Sequence, residues 1–336
     1  MLKIAIYLQS LLMLSVLISP ALAVEASKTP ADDLKVRLDM IFRGDPPGGV
    51  AELKAMQSHV KELTNKVMAS TVGVQIGQAW GSGVIVSADG YVLTAAHVAG
   101  QANKRADFVL SDGRVVQGKT LGLNRTLDAG LMKITDKGEY PFVEMGGSKE
   151  LREGQWCLAV GHPGGYLKDR GLVVRLGRVL LTDREAITSD CTLVGGDSGG
   201  PLFDMQGRVI GINSRIAGAI TANLHVPVDT FHDGWDRLVN ADVWGHLPGQ
   251  EPILGIRGVK DVEIAKVATV GKESAADKAG IKTGDVVLKF GDKEIGNFAS
   301  LMKAVLEHEV GDKVSVQLQR DEEKLDLTVT LGRRGE

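Results

Sequence analysis

Apolar residues recur at helical spacing in two stretches ahead of residue 70. Leu34, Leu38 and Ile41 lie three or four residues apart, and the "DPPGG" that follows ends the pattern. The second stretch, residues 50–68, has apolar positions at Leu53, Met56, Val60, Leu63 and Val67. Because a helix places such residues on one face, the sequence predicts a helical segment over residues 24–70. We expect the second helix to pack this face on the next domain or on another subunit.

From Thr71 the pattern changes to short, β-branched apolar runs separated by glycine-containing turns. The runs are "TVGVQIG", "GSGVIVSADGYVLTAAHV", "ADFVLSDGRVVQGKTLG", "AGLMKIT", "GQWCLAVG", "LVVRLGRVLL" and "GRVIGINS". Within them, "ADG" and "SDG" stand where hairpin turns are expected. Many short strands without intervening helices predict an antiparallel barrel or sandwich, which we place at residues 71–245.

The remainder of the chain mixes strand and helix patterns. The sequence "GHLPGQEP" is interpreted as a linker. After it, helical patterns cover residues 275–279 and 299–308. The alternating "VSVQLQRDEEKLDLTVTL" indicates strands. A segment of this size can fold as an independent domain. The sequence therefore predicts a small mixed domain at residues 251–333.

The first residues have the three-part layout of a secretory signal peptide. One early lysine, Lys3, precedes an apolar run that ends on the small residues of "ALA" at Ala23. An uncleaved membrane anchor is the alternative, and the interruption of the run by Gln9 and Ser10 argues against it. We therefore expect a signal peptide at residues 1–23, cleavage after it, and an exported protein, periplasmic or secreted.

Composition narrows the classes of function. Of the 336 residues, 43% are apolar and 24% are charged, and the formal net charge is −3. Nucleic-acid binding usually requires a basic stripe, so no nucleic-acid partner is predicted. The sequence also has no cysteine–histidine spacing typical of a metal site and no glycine-rich nucleotide turn, so no cofactor is expected. The two cysteines, Cys157 and Cys191, are compatible with one disulfide or with two buried thiols.

One serine, Ser198, lies in the glycine-rich stretch "VGGDSGGPLF". A serine hydroxyl becomes a good nucleophile when a histidine removes its proton and a carboxylate orients that histidine. His97 closes the strand-like run "GYVLTAAHV", and Asp128 directly precedes the apolar run in "LDAGLMKI". Each residue alone has an ordinary structural interpretation. Together, 31 and 70 residues apart along the chain, they predict a catalytic triad of His97, Asp128 and Ser198.

These three segments resemble a known family. "TAAH", "LDAGLMKI" and "GDSGGP" resemble the signature segments of the chymotrypsin-like serine proteases. The layout is similar to that of the HtrA/Deg branch, in which a PDZ domain follows the protease. The resemblance implies a mainly β protein with a two-barrel protease domain preceded by a helical segment and followed by a PDZ domain. It also implies an endopeptidase that cleaves unfolded or damaged proteins and assembles as a homo-oligomer, by analogy a trimer.

The resemblance also assigns roles to individual residues. Ser198 would attack the scissile carbonyl, His97 would take and return the proton, and Asp128 would fix the imidazole tautomer. The backbone amides of Gly196 and Ser198 would form the oxyanion hole. Gly199 and Gly200 would leave room for the substrate backbone.

The chain departs from the branch beside the nucleophile. Asp197 stands where the branch commonly has asparagine. Digestive proteases also have aspartate at this position, and there it pairs with a newly cut N-terminal amine. The expected new N-terminus, Val24, lies far ahead of the barrels, so we expect Asp197 to accept hydrogen bonds within its own loop. "GHPGG" stands where the branch often has an asparagine and a phenylalanine. We interpret His162, in this stretch, as a loop residue.

The residues ahead of Ser198 give a weak indication of cleavage preference. Thr192 and Leu193 occupy the approximate base of the specificity pocket, where no acid is evident, although Asp190 is close in sequence. We expect small or medium apolar side chains to be accepted. The strand segment "INSRIA" resembles the one that pairs with the substrate backbone.

A second binding site is predicted in the C-terminal domain. The stretch "ILGI", comprising Ile253, Leu254, Gly255 and Ile256, resembles the PDZ loop that binds a C-terminal carboxylate through backbone amides. The helix carrying Leu301, Lys303 and Val305 would wall the peptide groove. The alternatives are a scaffolding domain without an open groove and, for the whole chain, a catalytically silent chaperone or peptide-binding scaffold.

Overall fold

The computed structural model describes residues 30–333 except 217, 218, 220, 248 and 261. The predicted signal peptide, residues 1–23, therefore lies outside the described residues. The described chain begins with two helices, α1 (Pro30–Phe42) and α2 (Val50–Met68). Within the described ranges, no helix combines the length and apolarity that crossing a membrane requires.

Helix α2 packs on the protease domain. Leu63 is buried, and one of its methyl groups lies 2.8 Å from the position a Cβ would take on Gly207. His59 Nε2 lies 2.6 Å from the carbonyl oxygen of Met205. The C-terminal half of α2 therefore contributes to the core of the domain that follows it.

The predicted apolar faces of both helices are only partly buried. Ile41, Met56 and Val67 are buried, whereas Leu34 is 40% exposed and Leu53 is 51% exposed. Leu34 and Leu53 therefore lie outside the contact with the barrel, and packing of this face on another subunit stays a prediction. The contacts of α2 with the barrel are made by His59 and Leu63, in the C-terminal half of the helix. The first turn of α2, which carries Leu53, lies outside them.

The first barrel follows directly. Its strands are β1 (Thr71–Ile76), β2 (Ala79–Ile85), β3 (Tyr91–Ala95), β4 (Arg105–Val109), β5 (Val115–Asn124) and β6 (Ala129–Ile134), with the short helix α3 (Ala96–Ala99) after β3. Neighbouring strands are antiparallel in the order β5-β4-β1-β2-β3-β6, and pairing of β5 with β6 closes the barrel. The two predicted turns join β2 to β3 and β4 to β5.

The second barrel is also closed. Its strands are β7 (Trp156–Gly161), β8 (Val173–Thr182), β9 (Ile187–Ser189), β10 (Pro201–Phe203), β11 (Val209–Ile216) and β12 (Asn223–Pro227), in the order β10-β11-β12-β9-β8-β7. Helix α4 (Asp229–Val239) and strand β13 (Val243–Trp244) follow, and β13 pairs in parallel with β5 of the first barrel. The predicted two-barrel, mainly β architecture is confirmed.

The C-terminal domain has its own core. Its elements are β14 (Pro252–Ile253), β15 (Ile256–Gly258), β16 (Val267–Val270), α5 (Ala275–Lys278), β17 (Val286–Phe290), β18 (Lys293–Glu294), α6 (Phe298–Val305), β19 (Lys313–Arg320), β20 (Glu323–Thr330) and β21 (Gly332–Arg333). A four-stranded sheet in the order β18-β17-β19-β20 packs with both helices around buried residues such as Val287, Leu301 and Val316. The two predicted helices correspond to α5 and α6.

The predicted linker between the domains is held at His246. Its backbone N–H donates to Thr126 Oγ1 at 3.2 Å, which attaches the linker to the first barrel. Its Nε2 lies 3.0 Å from the carbonyl oxygen of Leu306, and its Nδ1 lies 3.6 Å from a carboxylate oxygen of Glu309. His246 therefore contacts both domains, the first barrel through its backbone and the C-terminal domain through its ring.

Candidate active site

The three predicted catalytic residues come from separate elements that meet between the barrels. His97 lies in α3 after β3, Asp128 directly precedes β6, and Ser198 lies two residues before the end of the loop that leads into β10. The nucleophile loop is attached to the first barrel through Ser82, whose backbone N–H donates to the carbonyl oxygen of Ser198 at 2.8 Å. The Ser82 hydroxyl donates to the carbonyl oxygen of Gly196 at 2.9 Å.

The His97 ring is held by Asp128. Nδ1 of His97 lies 2.9 Å and 3.1 Å from the two carboxylate oxygens of Asp128, and the His97 backbone N–H donates to the same carboxylate at 2.9 Å. Asp128 has φ +60°, a left-handed conformation that aspartate tolerates better than most residues. With Nδ1 facing the carboxylate, Nε2 is the ring nitrogen that can accept a proton.

The Asp128 carboxylate is stabilised in its charged form. Burial, the largest single influence, raises its pKa, but the hydrogen bonds and charge of His97 and the hydroxyl of Ser214 together hold the pKa below its ordinary value. Ser214 Oγ donates to Asp128 at 2.5 Å. The carboxylate therefore remains ionised where a histidine needs an anionic partner.

The Ser198 hydroxyl donates to the carbonyl oxygen of Ser214 at 3.2 Å. Among the described residues it has no hydrogen bond to His97, so the nucleophile is turned toward Ser214. Ser214 thus contacts two members of the predicted triad, one through its carbonyl and the other through its hydroxyl. Rotation about the Ser198 Cα–Cβ bond redirects Oγ, and such contacts commonly tighten only when substrate is bound.

The glycines of the nucleophile loop are required by close packing. Gly196 has φ +94°, and a Cβ there would lie 2.4 Å from the carbonyl oxygen of His162 and 2.5 Å from the amide of Gly165. Neither the Gly196 amide nor the Ser198 amide donates to another described residue. Two unpaired N–H groups therefore flank the nucleophile, as an oxyanion hole requires.

The next two glycines are required by packing within the protein itself. A Cβ at Gly199 would lie 2.1 Å from the carbonyl oxygen of Ser82, and one at Gly200 would lie 2.2 Å from the carbonyl oxygen of Val160. Both positions face the protein's own backbone, so these glycines permit packing of the loop between the barrels. That they also leave room for the substrate backbone stays a prediction.

Asp197 is buried and accepts a hydrogen bond within its own loop, from the Val194 amide at 2.9 Å. It also forms an ion pair with Arg175 of β8 at 2.9 Å, which sequence reasoning missed. The sequence feature that could have indicated this ion pair is the arginine in the otherwise apolar start of "LVVRLGRVLL", because a cation is rarely buried without a partner.

A buried polar network supports the loop that carries Ser198, through Asn213 of β11. Asn213 Nδ2 donates to the carbonyl oxygens of Val160 at 3.1 Å and Asp197 at 3.2 Å. The other end of the Asn213 amide lies 2.9 Å from Nδ1 of His225, whose Nε2 lies 2.7 Å from Ser189 Oγ. Complete burial lowers the pKa of His225 to about 3, so this ring is neutral in the folded protein.

Acidification should therefore lower the free energy of unfolding. Because the folded-state pKa of His225 is about 3 and the ordinary value is near 6.5, the unfolded chain binds the proton first. The contribution is complete above about pH 6.5 and is lost as the pH falls toward 3, at about 1.4 kcal/mol per pH unit. Urea denaturation at pH 7, 6, 5 and 4 measures the slope. We expect His225→Gln to reduce the slope, with the remainder coming in part from His162; a slope equal to that of the wild type would contradict the assignment.

His162 is more than the loop residue that was expected. Its backbone N–H donates to Ser82 Oγ at 3.0 Å, and its ring Nδ1 lies 3.4 Å from the same oxygen. Burial, assisted by the charge of Arg170, lowers the pKa of His162 to about 4. The ring is therefore a buried neutral group that packs the loop "GHPGG" beside Gly196.

The two cysteines are free thiols, and the residues of the predicted specificity pocket differ in exposure. The Sγ atoms of Cys157 and Cys191 lie 3.9 Å apart as buried free thiols, whereas a disulfide requires about 2.05 Å. Asp190 is exposed and accepts a hydrogen bond from the Arg178 amide at 2.6 Å, while Leu193 is buried. The carboxylate nearest the predicted specificity pocket is thus engaged on the surface of β8.

The predicted peptide loop of the C-terminal domain lies between β14 and β15. Gly255 has φ +77°, and a Cβ there would overlap the Ser274 side chain at 2.3 Å. The amides of Leu254 and Gly255 donate to no described residue. Ile253 ends β14 and Ile256 begins β15, whose second edge pairs with no described strand. The loop therefore presents free amides next to an open strand edge.

The helix wall of this groove differs from expectation. Leu301 and Val305 are fully buried in the domain core, and Lys303 is exposed. The α6 residue next to β15 is Phe298, whose ring lies 2.5 Å from the position of a Cβ on Gly258. Helix α6 therefore lies beside β15 through Phe298, while Leu301 and Val305 belong to the core; that α6 walls a peptide groove stays a prediction.

Comparison with known proteins agrees with this architecture. The family described as "Trypsin-like peptidase domain" matches residues 81–212, and "PDZ domain" matches residues 252–331. A probable periplasmic serine endoprotease DegP-like of Hahella chejuensis is 34% identical over 77% of this chain and 58% of its own length. The corresponding protein of Pseudomonas putida is 33% identical over 76% of this chain and 56% of its own length. The chain thus spans a little over half the length of these curated relatives.

Solved structures show the same arrangement. The serine endoprotease from Yersinia pestis is 25% identical, with a TM-score of 0.55 over 81% of this chain and 97% of that chain. An HtrA-type protease, AlgW with tripeptide, is also 25% identical, with a TM-score of 0.52 over 82% of this chain and 97% of that chain. The curated relatives are named periplasmic, which confirms the predicted exported location.

Proposed function

This chain belongs to the HtrA-type serine proteases, with a trypsin-like peptidase domain followed by a PDZ domain, and on that premise we propose that it is an endopeptidase whose nucleophile is Ser198. The observation that carries the proposal is the set of contacts around Asp128. Its carboxylate holds the His97 ring and the Ser214 hydroxyl, and Ser214 in turn accepts the hydrogen bond of Ser198.

The reaction follows from these positions. Ser198 Oγ forms a bond to the scissile carbonyl carbon while His97 Nε2 takes the hydroxyl proton, and the carbonyl electron pair moves to its oxygen. The resulting oxyanion accepts hydrogen bonds from the amides of Gly196 and Ser198, each of which contributes about 2.7–4 kcal/mol to the transition state. His97 then gives its proton to the leaving amine. Water, activated by the same ring, hydrolyses the acyl-enzyme and restores Ser198.

Unfolded or damaged polypeptides are the proposed substrates. The carbonyl of Ser214 lies beside Ser198, where it can accept an N–H from an extended substrate chain. A folded protein keeps its own backbone groups paired, whereas an unfolded segment offers them for strand addition. Since Asp190, the acid close in sequence to Thr192 and Leu193, is engaged by an amide at the surface, we propose that small or medium apolar side chains precede the cleaved bond.

A fluorophosphonate probe tests the enzyme directly, because it reacts with an activated serine. The folded wild-type protein should be modified once, and peptide mass spectrometry should place the probe on Ser198. The same protein unfolded in urea is the control and should remain unmodified. A folded wild type that stays unlabelled would favour the alternative, a catalytically silent chaperone or scaffold.

We also propose that the PDZ domain binds the C-terminal ends of peptides. The free amides of Leu254 and Gly255 can receive a carboxylate, and the open edge of β15 can accept the adjoining extended chain. A fluorescent decapeptide with an apolar last residue and a free carboxylate should bind at least about tenfold more tightly than its C-terminal amide, since the amide removes a charge-assisted hydrogen-bond acceptor. Fluorescence anisotropy measures both affinities, and equal values would exclude carboxylate recognition.

A further inference from the structure

A carboxylate is buried directly beside the proposed nucleophile. Asp197, the residue before Ser198, is 0% exposed. Its site is shaped for a carboxylate, since a Cβ on Gly161 would lie 2.6 Å from Asp197 Oδ1. An ionised carboxylate away from water is strongly unfavourable unless a cation and hydrogen bonds compensate it. The partners of Asp197 therefore decide whether the loop keeps its conformation.

Arg175 compensates both carboxylate oxygens. Its Nη2 lies 2.9 Å from Oδ2 and its Nη1 donates to Oδ1 at 3.2 Å, which is the paired geometry a guanidinium fork provides. Burial raises the pKa of Asp197, and the Val194 amide and Arg175 oppose that effect. Arg175 is the one cationic side chain within ion-pair distance of Asp197 in the part of the chain that the structure describes.

The carboxylate also closes the turn that presents the oxyanion amides. The Val194 amide donates to Asp197 Oδ2 at 2.9 Å, and the Asp197 amide donates back to the Val194 carbonyl at 3.1 Å. The Asp197 carbonyl accepts hydrogen bonds from Gly200 at 2.9 Å and from Asn213 at 3.2 Å. The orientation of Asp197 therefore sets the direction of the Gly196 and Ser198 peptide groups.

We propose that Arg175 is a positioning residue that holds residues 194–198 in their reactive arrangement through Asp197. The inference rests on the proposed protease function and deepens it. Arg175 supplies, from β8 of the second barrel, the positive charge that a newly cut N-terminal amine supplies in digestive proteases. The ordering of the oxyanion loop is consequently built into the folded barrel and requires no cleavage of the chain.

A double-mutant cycle tests the proposal. Arg175→Gln leaves Asp197 buried without its cation and should lower kcat by about 100-fold, the scale of losing one oxyanion donor, with KM changed less than about threefold. Asp197→Asn should also lower kcat. The double variant Arg175→Gln/Asp197→Asn removes both charges and keeps amides that can pair, so it should recover about tenfold or more of the loss.

The matched control is Arg208→Gln. Arg208 pairs with another buried carboxylate, Asp204, at 2.8 Å, at the opposite end of β10 from Ser198. This variant removes the same kind of ion pair and should leave kcat unchanged. Thermal unfolding of each protein separates loss of folding from loss of loop position.

The outcomes distinguish the two proposals. An active wild type with an equally active, folded Arg175→Gln protein overturns the positioning role and leaves the protease function standing. A wild type without hydrolysis or fluorophosphonate labelling overturns the protease function and this inference with it. Where Arg175→Gln does not fold, the double variant decides: a folded and active double variant supports the proposal, and a folded but inactive one overturns it.

Discussion

Replacing Ser198 with alanine should lower kcat for the hydrolysis of β-casein by about 10⁶-fold, to the level set by contaminating proteases. The substitution removes the oxygen that forms the acyl-enzyme, and neither His97 nor the loop amides can replace it. The folded structure should persist, because among the described residues the hydroxyl makes one hydrogen bond, to the Ser214 carbonyl, worth about 1 kcal/mol.

The control for this variant is Ser111→Ala. Ser111 is exposed in the turn between β4 and β5, so its loss should change neither hydrolysis nor the unfolding temperature. Electrophoresis of casein digests over several hours gives the sensitivity required. Hydrolysis by Ser198→Ala at even one per cent of the wild-type rate would assign the nucleophile elsewhere.

Replacing Asp128 with asparagine should lower kcat by about 10⁴-fold. The carboxylate accepts three hydrogen bonds, from the backbone and ring of His97 and from Ser214. An asparagine amide has one acceptor oxygen, and its NH₂ group would face a donor. Relief of that conflict places the imidazole proton on Nε2, where the ring can no longer accept the proton of Ser198.

The pH profile of the wild type complements this variant. Because the pKa of Asp128 lies below its ordinary value, its charge persists through mild acid. Because an imidazolium cannot accept the serine proton, kcat/KM should fall on acidification while Asp128 is still charged. The control Asp136→Asn, at an exposed turn, should keep the wild-type rate and profile. A fully active Asp128→Asn protein, or a wild-type kcat/KM that does not fall on acidification, would contradict the assigned roles.

The sequence predicted the residues of the candidate site more completely than their supports. His97, Asp128 and Ser198 each lie in a short motif whose residue types reflect the chemistry. Arg175 lies in no such motif, and Ser214 lies in "INSRIA", where the sequence indicated pairing with substrate but not the contacts to Asp128 and Ser198. They reach the site because β11 and β8 occupy particular positions in a closed barrel, and that register is decided by contacts between distant strands.

The fold shows the same division. The barrels follow from alternating apolar runs, but helix α4 was missed although Phe231 and Leu238 recur at helical spacing within it. The short strands β9 and β12 were also missed, because their few residues carry no sustained alternation. Their pairing with neighbouring strands, formed only in the closed barrel, makes them strands.

The seating of α1 and α2 on the second barrel limits where the protein can be shortened. Ile41, Phe42 and Val67 belong to the same buried cluster as Phe203 and Val209. Each fully buried side chain of this size contributes about 1.5–3 kcal/mol through removal from water. A recombinant fragment starting at Thr71 would expose the apolar surface that the two helices cover. The smallest fragment that folds and is catalytically active therefore has to retain both helices.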